Sequence, residues 1–126
     1  YGVILEYIIL KPSMVIAGKK CSKQSSVAEV AEATLRVLKR TVPAAVPTIN
    51  FLSGGQTPEQ ATAHLQLMNE KGPLPWHLSF SYARALQEPC LAAWAGKPQN
   101  VASAQAILYQ RAKLNHLAVM GRHQSN

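Results

Sequence analysis

Acidic residues, cysteines, aromatics and long apolar runs are all scarce in this 126-residue sequence. Six Asp and Glu face 13 Lys and Arg, for a formal net charge of +7. Such a surplus could serve a nucleic acid or another anionic partner. The cations are scattered, however, through Lys19, Lys20, Lys23, Arg36, Lys39, Arg40, Lys97, Arg111 and Lys113. With aromatics at only 6% and none interleaved among them, no stacking platform for bases is expected. These charges read as solvated loop ends and polar helix faces, so no nucleic-acid partner is expected. The two cysteines, Cys21 and Cys90, lie far apart and lack Cys-x-x-Cys spacing; they could be bridged, but free thiols in a reducing cytosol fit better. His64, His77, His116 and His123 show no paired ligand spacing, so no metal is expected. No apolar run approaches the roughly 20 residues that cross a bilayer, and residues 1–10 lack the basic start of a signal peptide. No dinucleotide glycine fingerprint and no Walker loop follows a strand candidate.

What is present is a globular composition, 48% hydrophobic and 15% charged, with a regular succession of elements. Residues 3–10 form an apolar run broken only by Glu6, which predicts a buried strand. Ser26-Val27-Ala28-Glu29 is a capping-box pattern opening a helix to about Arg40, with Val27, Val30, Thr34, Val37 and Leu38 expected on its inner face. Pro43 and Pro47 precede a second strand, residues 48–52. Thr57, Pro58 and Gln60 then supply N-cap, N1 and N3 of a helix reaching about Asn69. Residues 76–82 alternate Leu78, Phe80 and Tyr82 against Ser79 and Ser81 as a third strand. Helices from Arg84 to Ala95 and from Asn100 to Met120 follow. Strands separated by helices predict an α/β fold: three parallel βα units plus C-terminal helices. Chain order alone leaves open sheet and partial barrel equally possible. The pattern begins at Tyr1 in mid-strand, as expected of a piece of a longer protein, and residues 1–126 read as a single partial domain.

The chemistry-bearing residues cluster where strands end: Lys11, then Ser53-Gly54-Gly55, then Ser81-Tyr82-Ala83-Arg84. Ligands of parallel α/β folds bind at that edge. Lys11 closes the first strand before Pro12, so it is either a solvated strand end or a nucleophile in a dry pocket, where burial disfavours the ammonium. Gly54 and Gly55 allow the backbone to approach an anion closely, Ser53 can donate, and Arg84 beside a helix N-terminus adds a forked cation. Together these are the parts of a phosphate cradle. A lysine beside such a cradle suggests a phosphorylated carbonyl substrate.

Four tracts carry a resemblance: residues 5–15 (Leu-Glu-Tyr-Ile-Ile-Leu-Lys-Pro-Ser-Met-Val), 40–47 (Arg-Thr-Val-Pro-Ala-Ala-Val-Pro), 51–56 (Phe-Leu-Ser-Gly-Gly-Gln) and 78–86 (Leu-Ser-Phe-Ser-Tyr-Ala-Arg-Ala-Leu). With Ala92-Ala93-Trp94-Ala95-Gly96-Lys97 downstream, they resemble class I fructose-bisphosphate aldolases in order over essentially the whole chain. The resemblance implies a (β/α)8 TIM barrel, of which this chain supplies the last three strands and C-terminal helices. It implies that Lys11 is the Schiff-base lysine, and that the iminium it forms with fructose 1,6-bisphosphate is the electron sink for cleaving the central carbon–carbon bond. Ser53, Gly54, Ala83 and Arg84 fall on positions that hold the C1 phosphate, with Ser81 nearby. No cofactor is implied. A cytoplasmic glycolytic lyase follows, partnered by its own copies in a homo-oligomer (the family tetramer) or by the missing N-terminal part of the barrel.

Departures from the family pattern bear on this reading. Ala83 stands where the family usually has glycine, so its methyl is expected to crowd the phosphate or restrict the backbone. Tyr7 replaces a small glycine, with overpacking expected if its surroundings are tight. The sequence closes at residues 123–126 without the terminal tyrosine of many relatives, and the family's acid–base residues lie on earlier strands. The competing reading is a catalytically incomplete half-barrel or decayed relative that binds only phosphate or a protein partner. An open sheet with an unpaired edge is expected to associate or fold poorly. A basic scaffold for acidic polymers is a third reading.

Overall fold

Two reciprocal capping boxes fix where the first two long helices begin. Ser26 Oγ accepts the Glu29 amide while Glu29 Oε2 accepts the Ser26 amide, at 3.3 and 2.7 Å. Thr57 and Gln60 repeat the exchange at 3.1 and 2.9 Å, with Pro58 at the first helical position. Each pair satisfies two backbone donors that a helix start leaves orphaned. The computed structural model describes residues 1–122. The chain-end features read from residues 123–126, including His123, lie outside the described residues. In chain order the elements are β1 (Ile9–Leu10), α1 (Val27–Thr41), β2 (Thr48–Phe51), α2 (Pro58–Glu70), β3 (His77–Phe80), α3 (Arg84–Trp94) and α4 (Val101–Val119). Short 3-10 turns precede β1 and α4.

The strands form one parallel sheet in the order β1-β2-β3, with Ile9 opposite Thr48, Ile49 opposite Leu78 and Phe51 opposite Phe80. Sequential parallel strands need helical crossovers, which α1 and α2 provide. One apolar cluster holds the layers together: Ile49, Phe51 and Leu78 from the sheet meet Ala31 and Leu35 of α1, Leu65 and Met68 of α2, and Ala118 of α4. Burying a side chain such as Leu65 or Phe51 contributes about 1.5–3 kcal/mol by area. Trp76 fastens the lower end, its indole Nε1 donating to the Pro43 carbonyl at 3.0 Å. This is the α/β architecture expected, three βα units and C-terminal helices.

The first strand is the main correction. Residues 3–10 do not form a buried strand: Leu5–Tyr7 make a 3-10 turn, and pairing is confined to Ile9 and Leu10. The cause lies in the neighbour. With Ile9 opposite Thr48, anything before Ile9 would face Pro47, which has no amide to donate, and the turn at residues 43–46. β1 is also an edge strand, so Ile9 stays 62% exposed. Tyr7 is 84% exposed and overpacks nothing in this chain. On α1 the buried stripe is Val30, Ala31, Thr34, Leu35 and Leu38, while Val27 and Val37 face outward.

Candidate active site at the strand ends

Pairing continues past the strands and sets the site's spacing. The Leu52 amide donates to the Pro12 carbonyl at 3.1 Å, and the Ser81 amide donates to the Phe51 carbonyl at 2.9 Å. Lys11-Pro12, Leu52-Ser53 and Ser81 therefore sit side by side on one edge of the sheet. The segment after Lys11 is anchored by Met14, which is buried, and by the Val15 amide donating to Thr34 Oγ1 on α1 at 2.9 Å. Lys11 itself is exposed. Of the two environments the sequence allowed, this chain places it in the solvated one; no dry pocket surrounds it among the described residues.

After β2 the chain turns at residues 53–56, closed by the Gln56 amide donating to the Ser53 carbonyl at 3.2 Å. Gly55 takes φ +80°, and a β-carbon there would stand 2.8 Å from Ile16 Cδ1. Only glycine fits both demands. Ser53 is buried beneath the turn. Gln56 folds inward, where its Oε1 accepts from His64 Nδ1 at 2.6 Å, and its Nε2 is buried without a hydrogen-bond partner. Burial lowers the His64 pKa from its usual value, and a neutral ring suits this bond.

After β3 the backbone enters α3 at Ala83, which has no side-chain cap. The Ala83 carbonyl accepts from the Leu86 and Gln87 amides at 3.1 and 3.0 Å, so the Arg84 and Ala85 amides precede the helix's own bonding. An uncapped start with free amides and positive dipole character is suited to an anion. Ala83 has φ −98°, an angle open to any L-residue, and its methyl is exposed, so it does not strain this turn. Ser81 and Arg84 are exposed as well.

Arg84 faces Gly55 across an open cleft of about 460 Å³ that Lys19, Gln24, Gln60 and Glu88 also line. The two turns of the expected cradle thus share one cleft. Lys11, Ser53, Gly54, Ser81 and Ala83 do not line it; they lie on the adjoining strand ends. Lys19 and Gln24 were not anticipated, because they come from the long loop between β1 and α1, which carries no periodicity. Nor was the polar network beneath. There the hydroxyl of Thr62 accepts from Arg111 Nη2 and donates to Asn115 Oδ1, at 2.6 and 2.8 Å, and Tyr82 donates to the Ala61 carbonyl at 2.9 Å. Burial lowers the Arg111 pKa, opposed by Glu59 and Tyr82, and burial raises the Tyr82 phenol. The cysteines are both free, and no helix among the described residues is long and apolar enough to cross a membrane.

The family described as fructose-bisphosphate aldolase class-I matches residues 1–126. A probable fructose-bisphosphate aldolase class 1 of Xanthomonas campestris is 58% identical over 122 residues, 96% of this chain and 36% of that protein. The chloroplastic fructose-bisphosphate aldolase of rice is 52% identical over 125 residues, 99% of this chain and 32% of its own length. Among solved structures, fructose-bisphosphate aldolase from Plasmodium falciparum, in a ternary co-crystal with TRAP and a small molecule inhibitor, superposes with a TM-score of 0.95. Its identity is 48%, covering 99% of this chain and 36% of that one. The chain thus spans about a third of the length of the relatives it matches. The chain belongs to the class I fructose-bisphosphate aldolase family, and its three βα units with the helices that follow correspond to the C-terminal part of that family's barrel.

Proposed function

We propose that residues 1–126, as a single partial domain, supply the nucleophile and the phosphate site of a glycolytic, cytoplasmic carbon–carbon lyase acting on fructose 1,6-bisphosphate. In this reading the Lys11 amine attacks the substrate ketone and, with loss of water, forms an iminium. The C4 hydroxyl gives its proton to a base from the upstream part of the barrel, and the iminium accepts the electron pair of the central carbon–carbon bond as glyceraldehyde 3-phosphate leaves. The enamine that remains is protonated and hydrolysed to dihydroxyacetone phosphate. Ser53, Gly54, Ser81, Ala83 and Arg84 hold the C1 phosphate through amides, hydroxyls and a guanidinium. The observation that carries the reading is the convergence of three strand ends on one sheet edge, with Arg84 and an uncapped helix start facing the Gly55 turn.

Borohydride reduction in the presence of dihydroxyacetone phosphate, followed by peptide mass mapping, tests it. A reduced adduct on Lys11, absent from Lys11→Arg, is expected; an unmodified Lys11 sinks the Schiff-base role. The exposure of Lys11 and the chain's one-third coverage favour a second reading for the chain alone: a half-barrel that binds phosphate but turns over little substrate. Its edge strand would then be completed by further copies or by the upstream part of the barrel. Size-exclusion chromatography checks this, since a sharp, stable monomer peak contradicts an edge that needs a partner.

A further inference from the structure

Proline is a poor residue six places into a helix, because it removes the bond to the carbonyl four residues earlier. Pro89 lies inside α3, so the Ala85 carbonyl in the helix's first turn has no backbone donor at position 89. Arg111, arriving from α4, fills that vacancy: its Nε donates to the Ala85 carbonyl at 3.3 Å. The rest of the guanidinium reaches the other helix. Nη2 donates to the Pro58 carbonyl and to Thr62 Oγ1, both at 2.6 Å, in the first turn and a half of α2. The side chain is 9% exposed, and its one nearby carboxylate, Glu59, stands 4.0 Å away. Asn115 locks the arrangement by donating to the Arg111 carbonyl at 2.9 Å. A buried guanidinium spent on three neutral acceptors costs desolvation, and a merely structural contact between helices is more cheaply made from apolar side chains. What this one connects is specific: the first turns of the two helices that follow the Gly55 turn and the Ala83-Arg84 turn.

We infer that Arg111 is a positioning residue for the phosphate site, standing in for the amide that Pro89 lacks and thereby setting the α3 first turn, with Arg84, against the start of α2. The inference rests on the phosphate reading of that site. The rigid fork of arginine is needed because one donor must reach α3 while another reaches α2, which a lysine ammonium on a flexible stem does poorly.

The test titrates the 126-residue chain with inorganic phosphate, following the amide resonances of Gly54 and Arg84, and measures hydrogen exchange at the Leu86 and Gln87 amides. Arg111→Met is expected to weaken phosphate about tenfold or more and to speed that exchange about tenfold. Adding Pro89→Ala restores an N–H to the Ala85 carbonyl but not the link to α2, so the double variant is expected to return the exchange to within about threefold of wild type while phosphate stays weakened. Should Arg111→Met fail to fold, Arg111→Lys with and without Pro89→Ala gives the same comparison in a charge-conserving background. Phosphate affinity and exchange unchanged within twofold in the single variant, or exchange not rescued by Pro89→Ala, overturns the inference. If the wild-type chain shows no phosphate shift, the phosphate reading fails, and the exchange rates alone decide whether Arg111 holds this turn.

Discussion

Three glycines on one side of the molecule separate backbone strain from crowding. Gly55 has φ +80°, and an added β-carbon would stand 2.8 Å from Ile16 Cδ1. Gly54 has no positive φ, and its β-carbon would meet Leu52 Cδ1 at 3.1 Å; Gly18 has no positive φ and would meet nothing within 4 Å. Alanine at Gly55 therefore incurs the left-handed penalty of about 1–2 kcal/mol. Swinging the Ile16 methyl off its rotamer adds roughly 0.5–1.5 kcal/mol, for a total of about 1.5–3.5 kcal/mol. At Gly54 only the second, smaller displacement applies, about 0.5 kcal/mol. At Gly18 alanine reduces the freedom of the unfolded chain and should be neutral or stabilising by about 0.4–1 kcal/mol. Urea unfolding reads the series directly: with a slope of about 2 kcal/mol per molar, Gly55→Ala lowers the midpoint by about 0.8–1.8 M. A Gly55→Ala variant no less stable than Gly54→Ala would refute the strain argument, and with it the claim that this turn is built around one glycine.

Asn115 is fully buried between Thr62 and the Arg111 carbonyl, so Asn115→Ala is expected to cost about 2–4 kcal/mol in urea unfolding, through lost packing and two lost hydrogen bonds. Ser26→Ala removes one half of a capping box on an exposed helix start and should cost about 1 kcal/mol, with Thr57→Ala similar, both measurable as midpoint shifts at unchanged slope. His64 gives a pH signature. Burial depresses its folded pKa below the ordinary 6.5, so the unfolded chain holds the proton more tightly. The stability it contributes is complete above about pH 6.5 and is lost as pH falls from there through the folded pKa, by at most about 1.4 kcal/mol per unit. His64→Gln should flatten the stability profile between pH 7.5 and 5.5; an equally steep profile in the variant would assign the proton elsewhere.

The parts of the fold that were legible in the sequence depend on neighbours within a few residues. Ser26 with Glu29 and Thr57 with Gln60 are contacts across one helical turn, so their pattern needs no tertiary information. Leu78 and Tyr82 alternate onto the buried side of β3 for the same reason. The first strand is not legible because pairing depends on what stands opposite, and β2 begins only after Pro47, where residues before Ile9 would need a partner. On α1, Val30, Thr34 and Leu38 of the expected face are buried, but the stripe continues through Ala31 and Leu35 and leaves Val27 and Val37 outside it. Of the site, the strand-end positions of Lys11, Ser53, Gly54, Ser81, Ala83 and Arg84 followed from element order. Arg111 did not, although Pro89 inside α3 is a signal that some side chain must answer the Ala85 carbonyl.

On the proposed reading, Lys11 and the turns that hold phosphate make different demands on the rest of a barrel. An amine attacks a ketone only in its neutral form, and low-dielectric surroundings or nearby cations are what favour that form. Here β1 is two residues long, stands at the sheet edge, and leaves Ile9, Tyr7, Val3 and Ile4 exposed around the lysine. On the proposed reading, the surroundings that activate Lys11 are contributed by strands that would pair with that edge. The turns proposed to hold phosphate are built otherwise. Ser53 is buried, Gly55 turns through a positive φ, and the start of α3 is bonded to α2 through Arg111, all by residues of this chain. On the proposed reading, anion binding and amine activation are therefore separable: the first is expected in the 126 residues alone, the second only once the edge is closed. Phosphate affinity without borohydride trapping in the isolated chain, and both once the edge is paired, is the order in which the two properties should be recovered.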